Sequence, residues 1–152
     1  MTTEGLQPNI TIGMDTPFLI AHTVLEHPEH ERAKACFLRL LDSGIVFALC
    51  PTVIDEFLHV ITDPNRFEFP LPMDRAIRLV LNWINSEETV LVFPTLESQR
   101  RHLEWMVEHR LGRKRINDTR IASIYYIEGI TRLLTANTRD YSVFGVFEII
   151  QM

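Results

Sequence analysis

Two short apolar runs in this chain each end at a junction built to start a helix, and that pairing constrains the fold more than any other feature. Ile10 to Met14 stops at Asp15, after which Thr16 offers an N-cap and Pro17 takes the first helical position. Ile45 to Leu49 ends the same way, with Pro51-Thr52 opening a helix that reaches about Thr62. Proline suits a first helical turn because the amide it lacks would be unpaired there in any case. Three further runs, Val90 to Phe93, Thr131 to Leu134 and Val146 to Ile149, read as strands. Between the runs, apolar residues recur at helical spacing. One such helix is expected from Pro28 to Asp42, with Ala33, Cys36, Phe37, Leu40 and Leu41 on its apolar face and Ser43-Gly44 as its stop. Others are expected over Met73 to Asn85, over Leu96 to Arg110 ending near Gly112, and from a cap at Asn117 or Asp118 to Glu128, closed by Gly129. Pro64 and Pro70 leave Asp63 to Leu71 as a loop. Strands alternating with helices predict a single α/β domain with a central, mostly parallel sheet flanked by helices on both faces.

A length of 152 residues with 46% hydrophobic content supports one core, and no repeat or low-complexity linker divides it. Residues 10–152 are read as that domain, and residues 1–9 as a flexible N-terminal extension without the basic start and apolar stretch of a secretory signal. No apolar run approaches the ~20 residues that span a bilayer, so the expectation is a cytoplasmic protein with no membrane association. Cys36 and Cys50 show no CxxC spacing and read as two reduced core thiols.

In parallel α/β sheets, chemistry collects outside the carboxyl ends of the strands. Asp15 follows the first strand, Glu56 lies on the helix after the second, Asp118 opens a later helix, and Asp140 lies in the loop after the Thr131 to Leu134 strand. Each has a plain structural alternative. Asp15 or Asp118 can cap a helix, Glu56 can pair with an arginine, and Asp140 can brace a turn beside Asn137. Together they make a candidate oxygen-ligand set for Mg2+ or Mn2+, ions that take carboxylates, retain water and lower its pKa for attack on a phosphodiester.

Four segments carry a family resemblance. They are Asp15-Thr16 with Phe18-Leu19, the stretch from Pro51 through Glu56 to Val60, Asp118 with Ile121-Ala122, and Leu134-Thr135 through Asn137 and Asp140 to Tyr141. In this order the chain resembles PIN-domain proteins, in particular the VapC-type toxin ribonucleases, from about Ile10 to Ile149. The resemblance implies metal-dependent RNA cleavage, with Asp15, Glu56 and Asp118 as direct or water-mediated ligands and Asp140 as the fourth acid, Asn137 being the alternative that could complete the pocket. Thr16 and Thr135 would orient carboxylates through their hydroxyls. It also implies a homodimer and a cognate antitoxin protein that covers the cleft. Pro17 departs from the asparagine common at that place in the family and removes a donor that would brace the first aspartate's loop. That departure motivates the alternative of a PIN-fold interaction module with weak or no catalysis. A receiver-like phosphoryl-transfer domain ranks behind both, because the chain lacks a DxDx[TV] motif.

A net charge of −5 argues against a broad basic surface for nucleic acid. Any phosphate contact must be local, and Arg113, Lys114, Arg115 and Arg120, beside Asp118, are the expected candidates. The six histidines fit no zinc motif; His22, His27 and His30 read as surface residues. Trp83 and Trp105, among apolar neighbours in helices, read as core or interface anchors.

Overall fold

The computed structural model describes residues 11–152, so the expected extension over residues 1–9 lies outside the described residues. The elements are β1 (Thr11–Met14), α1 (Thr16–Thr23), α2 (His30–Asp42), β2 (Val46–Leu49), α3 (Pro51–Ile61), α4 (Met73–Ile84), β3 (Thr89–Leu91), α5 (Leu96–Glu108), α6 (Ile116–Ile127), β4 (Arg132–Leu134), α7 (Thr138–Ser142) and β5 (Glu148–Ile150). All four strand pairings are parallel, in the order β3-β2-β1-β4-β5. The predicted α/β sandwich is therefore the observed architecture. Helix α1 packs on α2 and α3, α3 on α4, and α5 on α6.

Strand β1 lies at the centre and is buried along its whole length. Burial on both faces explains why it is a continuous apolar run rather than an alternating one. Gly13 is required there: a Cβ at this position would meet Tyr125 Cδ2 at 2.8 Å and Leu133 Cδ2 at 2.9 Å. Its absence lets the Tyr125 ring of α6 lie against the strand, and the phenol donates to Met14 O at 2.6 Å, with Ala48 O at 3.0 Å. One hydroxyl thus ties α6 to the carboxyl ends of both β1 and β2. Around this tie, Ile12, Phe18, Phe47, Phe57 and Ile121 are almost wholly buried, and full burial of a side chain of this kind contributes about 1.5–3 kcal/mol.

Several boundaries differ from expectation for local reasons. Helix α2 begins at His30 rather than Pro28, because His27 Nδ1 accepts the Glu29 amide at 3.0 Å and holds the preceding residues in a turn. Helix α5 stops at Glu108, before Gly112, since Arg110 itself adopts the left-handed conformation, with φ of 52°. A 3-10 turn at Arg113–Arg115 runs directly into α6, so Asp118 occupies the first turn and caps nothing. The expected loop around Asp140 contains the short helix α7. Strand β5 is shifted to Glu148–Ile150, opposite Arg132, Leu133 and Leu134 of β4.

The histidines also differ. His30 is buried, with Nδ1 3.0 Å from Ala21 O, and His22 sits half-buried among Phe18, Phe37 and Trp83. Polar identity misleads here because imidazole packs as an aromatic ring once one nitrogen is satisfied or solvated. Both cysteines are free and buried. Trp105 is a core residue stacked on Phe144. Among the described residues no helix is long and apolar enough to cross a membrane.

Candidate active site

The sheet order reverses direction at β1: one connection leads outward through β2, and the later one returns to β4 on the other side. The carboxyl ends of β1 and β4 therefore diverge into a crevice, the place where such sheets bind ligands. Asp15 follows β1 and Thr135 follows β4, and the Asp15 amide still donates to Leu134 O at 3.2 Å. Asp15 caps α1 by accepting the Thr16 amide on Oδ1 at 2.7 Å, while Oδ2 accepts the Thr135 hydroxyl at 2.8 Å. The capping role and a place in the crevice therefore coincide in one carboxylate.

A cleft of about 510 Å³ opens at this edge. Asp15, Thr16 and Pro17 line it from the β1–α1 junction, Glu56 and His59 from α3, Asn117 and Asp118 from α6, and Asn137 from the loop after β4. Glu56 faces inward because Val53, Phe57 and Ile61 take the buried side of α3, leaving position 56 on the rim. Among the described residues no arginine forms an ion pair with it; its Oε2 accepts the Thr16 hydroxyl at 2.7 Å. Thr16 and Thr135 thus each hold one cleft carboxylate.

Asp140 does not line the cleft. It stands behind Asp118, bridged by Arg115, whose Nε is 3.7 Å from Asp118 Oδ2 and whose Nη1 is 3.6 Å from Asp140 Oδ1. Arg115 also donates to the Asp140 carbonyl. This arginine is occupied by acids of its own chain. Asn137 reaches the cleft wall and donates its amide to Thr135 Oγ1 at 2.9 Å. Arg113 and Lys114 are exposed nearby, but neither they, Arg115 nor Arg120 contributes to the lining.

Electrostatics mark the cleft as short of positive charge. Burial raises the Asp15 carboxyl from 3.8 to about 6; hydrogen bonds from Thr135 and Thr16 act against that rise, and the Glu56 charge adds to it. Burial also raises Asp118 from 3.8 to about 7, reinforced by the charges of Asp15, Asp140 and Glu56 and opposed by Arg115. Such a set of oxygens suits a hard divalent cation. Among the described residues no three or more His, Cys, Asp or Glu side chains stand close enough together to hold a metal ion between them. That openness is compatible with Mg2+ and Mn2+, which are commonly held by one or two carboxylates with water and substrate oxygens filling the remaining positions.

Some cleft features carried no signal in the sequence. The buried Tyr141 hydroxyl lies close enough to Asp15 to lower its pKa, yet it makes no hydrogen bond of ordinary geometry. Its place beside Asp140 was the only clue. His27, Arg66 and Met152 also line the cleft, and they come from segments with no motif.

Comparison with known proteins bears on the family and the fold. The PIN domain family model matches residues 12–144. Among solved structures, the chain is similar to VapC20 of Mycobacterium tuberculosis, described as a toxin that cleaves the sarcin-ricin loop. That match has 22% identity over 80% of this chain and 86% of that one, with a TM-score of 0.62. It is also similar to VapBC2 of Rickettsia felis, solved bound to a DNA fragment from its promoter, at 16% identity over 93% of this chain and 98% of that one, with a TM-score of 0.65. No curated protein matches. At these identities the solved structures bear on the fold, and the family match, spanning most of the described residues, decides the assignment: the chain belongs to the PIN domain family.

Proposed function

We propose that this chain is an endoribonuclease that hydrolyses RNA phosphodiester bonds with Mg2+ or Mn2+ held by Asp15, Glu56 and Asp118. The observation that carries the reading is that carboxylates from three distant segments face one cleft at the switch point of a parallel sheet. Asp15 and Asp118 would ligate directly, and Glu56 directly or through water. Asn137 would complete the set from the cleft wall, with Asp140 acting from behind through Arg115. When bound, the cation would supply an activated water and neutralise charge developing on the phosphate. Thr16 and Thr135 fix the carboxylate orientations, and the exposed Arg113 and Lys114 would meet RNA outside the cleft.

Since VapC20 is described as a toxin that cleaves the sarcin-ricin loop, the reading extends to the toxin of a two-component pair; a cytoplasmic location, a homodimer and a restraining antitoxin belong to that reading. The test is RNA cleavage by the purified chain with Mn2+, together with calorimetric Mn2+ binding by the wild type and by Asp118→Asn. Cleavage and binding that both vanish in the variant support the reading; robust cleavage in EDTA would sink it. Pro17 in the cleft wall favours one alternative, a PIN-fold interaction module. Metal binding without cleavage of any structured or unstructured RNA would select that alternative.

A further inference from the structure

The cleft has two unlike walls. On the α6 side, the cation near Asp118 is Arg115, 3.7 Å away and drawn also towards Asp140, so it is already engaged by two acids of the chain. On the α3 side, His27, His59 and Arg66 line the same cleft beside Glu56 and Glu29, and the Glu29 carboxylate is paired with Arg32 at 2.8 Å. His27, His59 and Arg66 reach the cleft from the turn before α2, from the outer face of α3 and from the turn after α3. His59 follows Glu56 by three residues, so the two lie on one face of the helix. Arg66 is exposed and rests its Nε 3.5 Å from Asp63 Oδ2, which restrains the side chain while its two terminal nitrogens stay available. His27 spends Nδ1 accepting the Glu29 amide at 3.0 Å, so its neutral ring carries the proton on Nε2 and presents a donor.

We propose that His27, His59 and Arg66 form a phosphate-binding wall that grips the RNA backbone next to the phosphate being cut. This inference rests on the ribonuclease reading and adds the positioning residues that reading lacks. A chain of net charge −5 has to overcome repulsion to bring a polyanion to an acidic cleft, and phosphate contacts from Lys, Arg and neutral donors serve that purpose. The exposed Arg113 and Lys114 lie outside the cleft lining, so they cannot hold the strand at the acids themselves. A strand laid between the two walls would have its backbone on the α3 side and the scissile phosphate over Asp15 and Asp118. Guanidinium and imidazole N–H groups bind phosphate without reading sequence, so the wall sets register rather than base preference.

The test measures anisotropy of a short fluorescein-labelled single-stranded RNA of mixed sequence, titrated with the full chain in EDTA between about 50 and 200 mM salt. Arg66→Ala should weaken binding about fivefold at the low-salt end and reduce the slope of log affinity against log salt by about 0.7. His59→Ala and His27→Ala should weaken binding with less change in slope, and Arg66→Lys should restore most of the slope. Melting temperatures should stay near wild type, because the exposed Arg66–Asp63 pair contributes little to stability. An unchanged affinity and slope in Arg66→Ala and in the His27→Ala/His59→Ala double variant would overturn the wall, even if the wild type cleaves RNA with Mn2+. The predicted slope change in a protein that never cleaves would support the wall and overturn the ribonuclease reading. A wild type with no measurable RNA affinity would overturn both.

Discussion

Thr135 and Asp15 meet across the switch point of the sheet: the threonine hydroxyl donates to Oδ2 at 2.8 Å while its oxygen accepts the Asn137 amide at 2.9 Å. One side chain therefore fixes the direction of the first aspartate and the path of the loop that brings Asn137 to the cleft. Replacing it by valine keeps the shape and removes both bonds. Thr135→Val should lower RNA cleavage about 10- to 100-fold, the usual effect of losing a group that orients a ligand. It should also cost about 1–3 kcal/mol of stability, because the buried Asp15 carboxylate loses a hydrogen-bond donor. Turnover and urea denaturation check the two effects; unchanged turnover would show that Asp15 does not depend on this bond for its geometry.

Asp118 carries the largest unfavourable charge environment in the cleft, with Asp15, Asp140 and Glu56 all raising its pKa. Asp118→Asn removes that repulsion and keeps a side chain of the same shape. In metal-free buffer above neutral pH, its melting temperature should equal or exceed wild type, while cleavage with Mn2+ is lost. Asp15→Asn should behave similarly, since an amide oxygen can still cap α1 at Thr16. A clear loss of stability in Asp118→Asn would assign this residue to the ion pair with Arg115 instead.

The junctions after β1 and β2 were legible because proline and a preceding apolar run are local signals. The convergence of Asp15, Glu56 and Asp118 was not local, and only the rule about strand ends, joined to the family likeness, pointed to it. Asp140 illustrates the limit. A five-residue helix has no periodicity to read, and an arginine standing between two acids is a tertiary fact. His30 failed for a related reason: it is buried against a carbonyl, although nothing in its sequence neighbours distinguishes it from an exposed histidine.

The raised carboxyls also fix the sign of the pH dependence. Asp15, moved from 3.8 to about 6, and Asp118, moved from 3.8 to about 7, hold protons in the folded state that the unfolded chain has already released. Where the folded state binds more protons, stability falls as pH rises. In EDTA the unfolding free energy should therefore drop by on the order of 1–2 kcal/mol between about pH 5.5 and about pH 8, with Asp118 contributing less than its full shift because solvent screens its partly exposed carboxylate. Saturating Mg2+ should remove most of that drop, because the cation takes the place of the protons. Denaturant titrations at several pH values, with and without Mg2+, measure both; a flat or rising profile in EDTA would mean that these acids are already compensated.

Gly13 sits two residues before Asp15, and its missing side chain is the space occupied by Tyr125 and Leu133. A methyl group there would approach the tyrosine ring at 2.8–2.9 Å and the leucine methyl at 2.9 Å, below ordinary contact distance. Neither neighbour can retreat freely. Tyr125 is fully buried and anchored to Met14 O, and Leu133 pairs with Gly13 itself in the sheet. Gly13→Ala should therefore cost about 1–3 kcal/mol, the range for overpacking a filled core. It should also weaken the Tyr125 bond to Met14, which adjoins the first aspartate. Stability and Mn2+ affinity should consequently fall together, and Tyr125→Phe should reproduce the loss of affinity without the overpacking. Should Gly13→Ala lose stability but bind Mn2+ as tightly as wild type, the carboxylate cleft would be insulated from the packing beneath it.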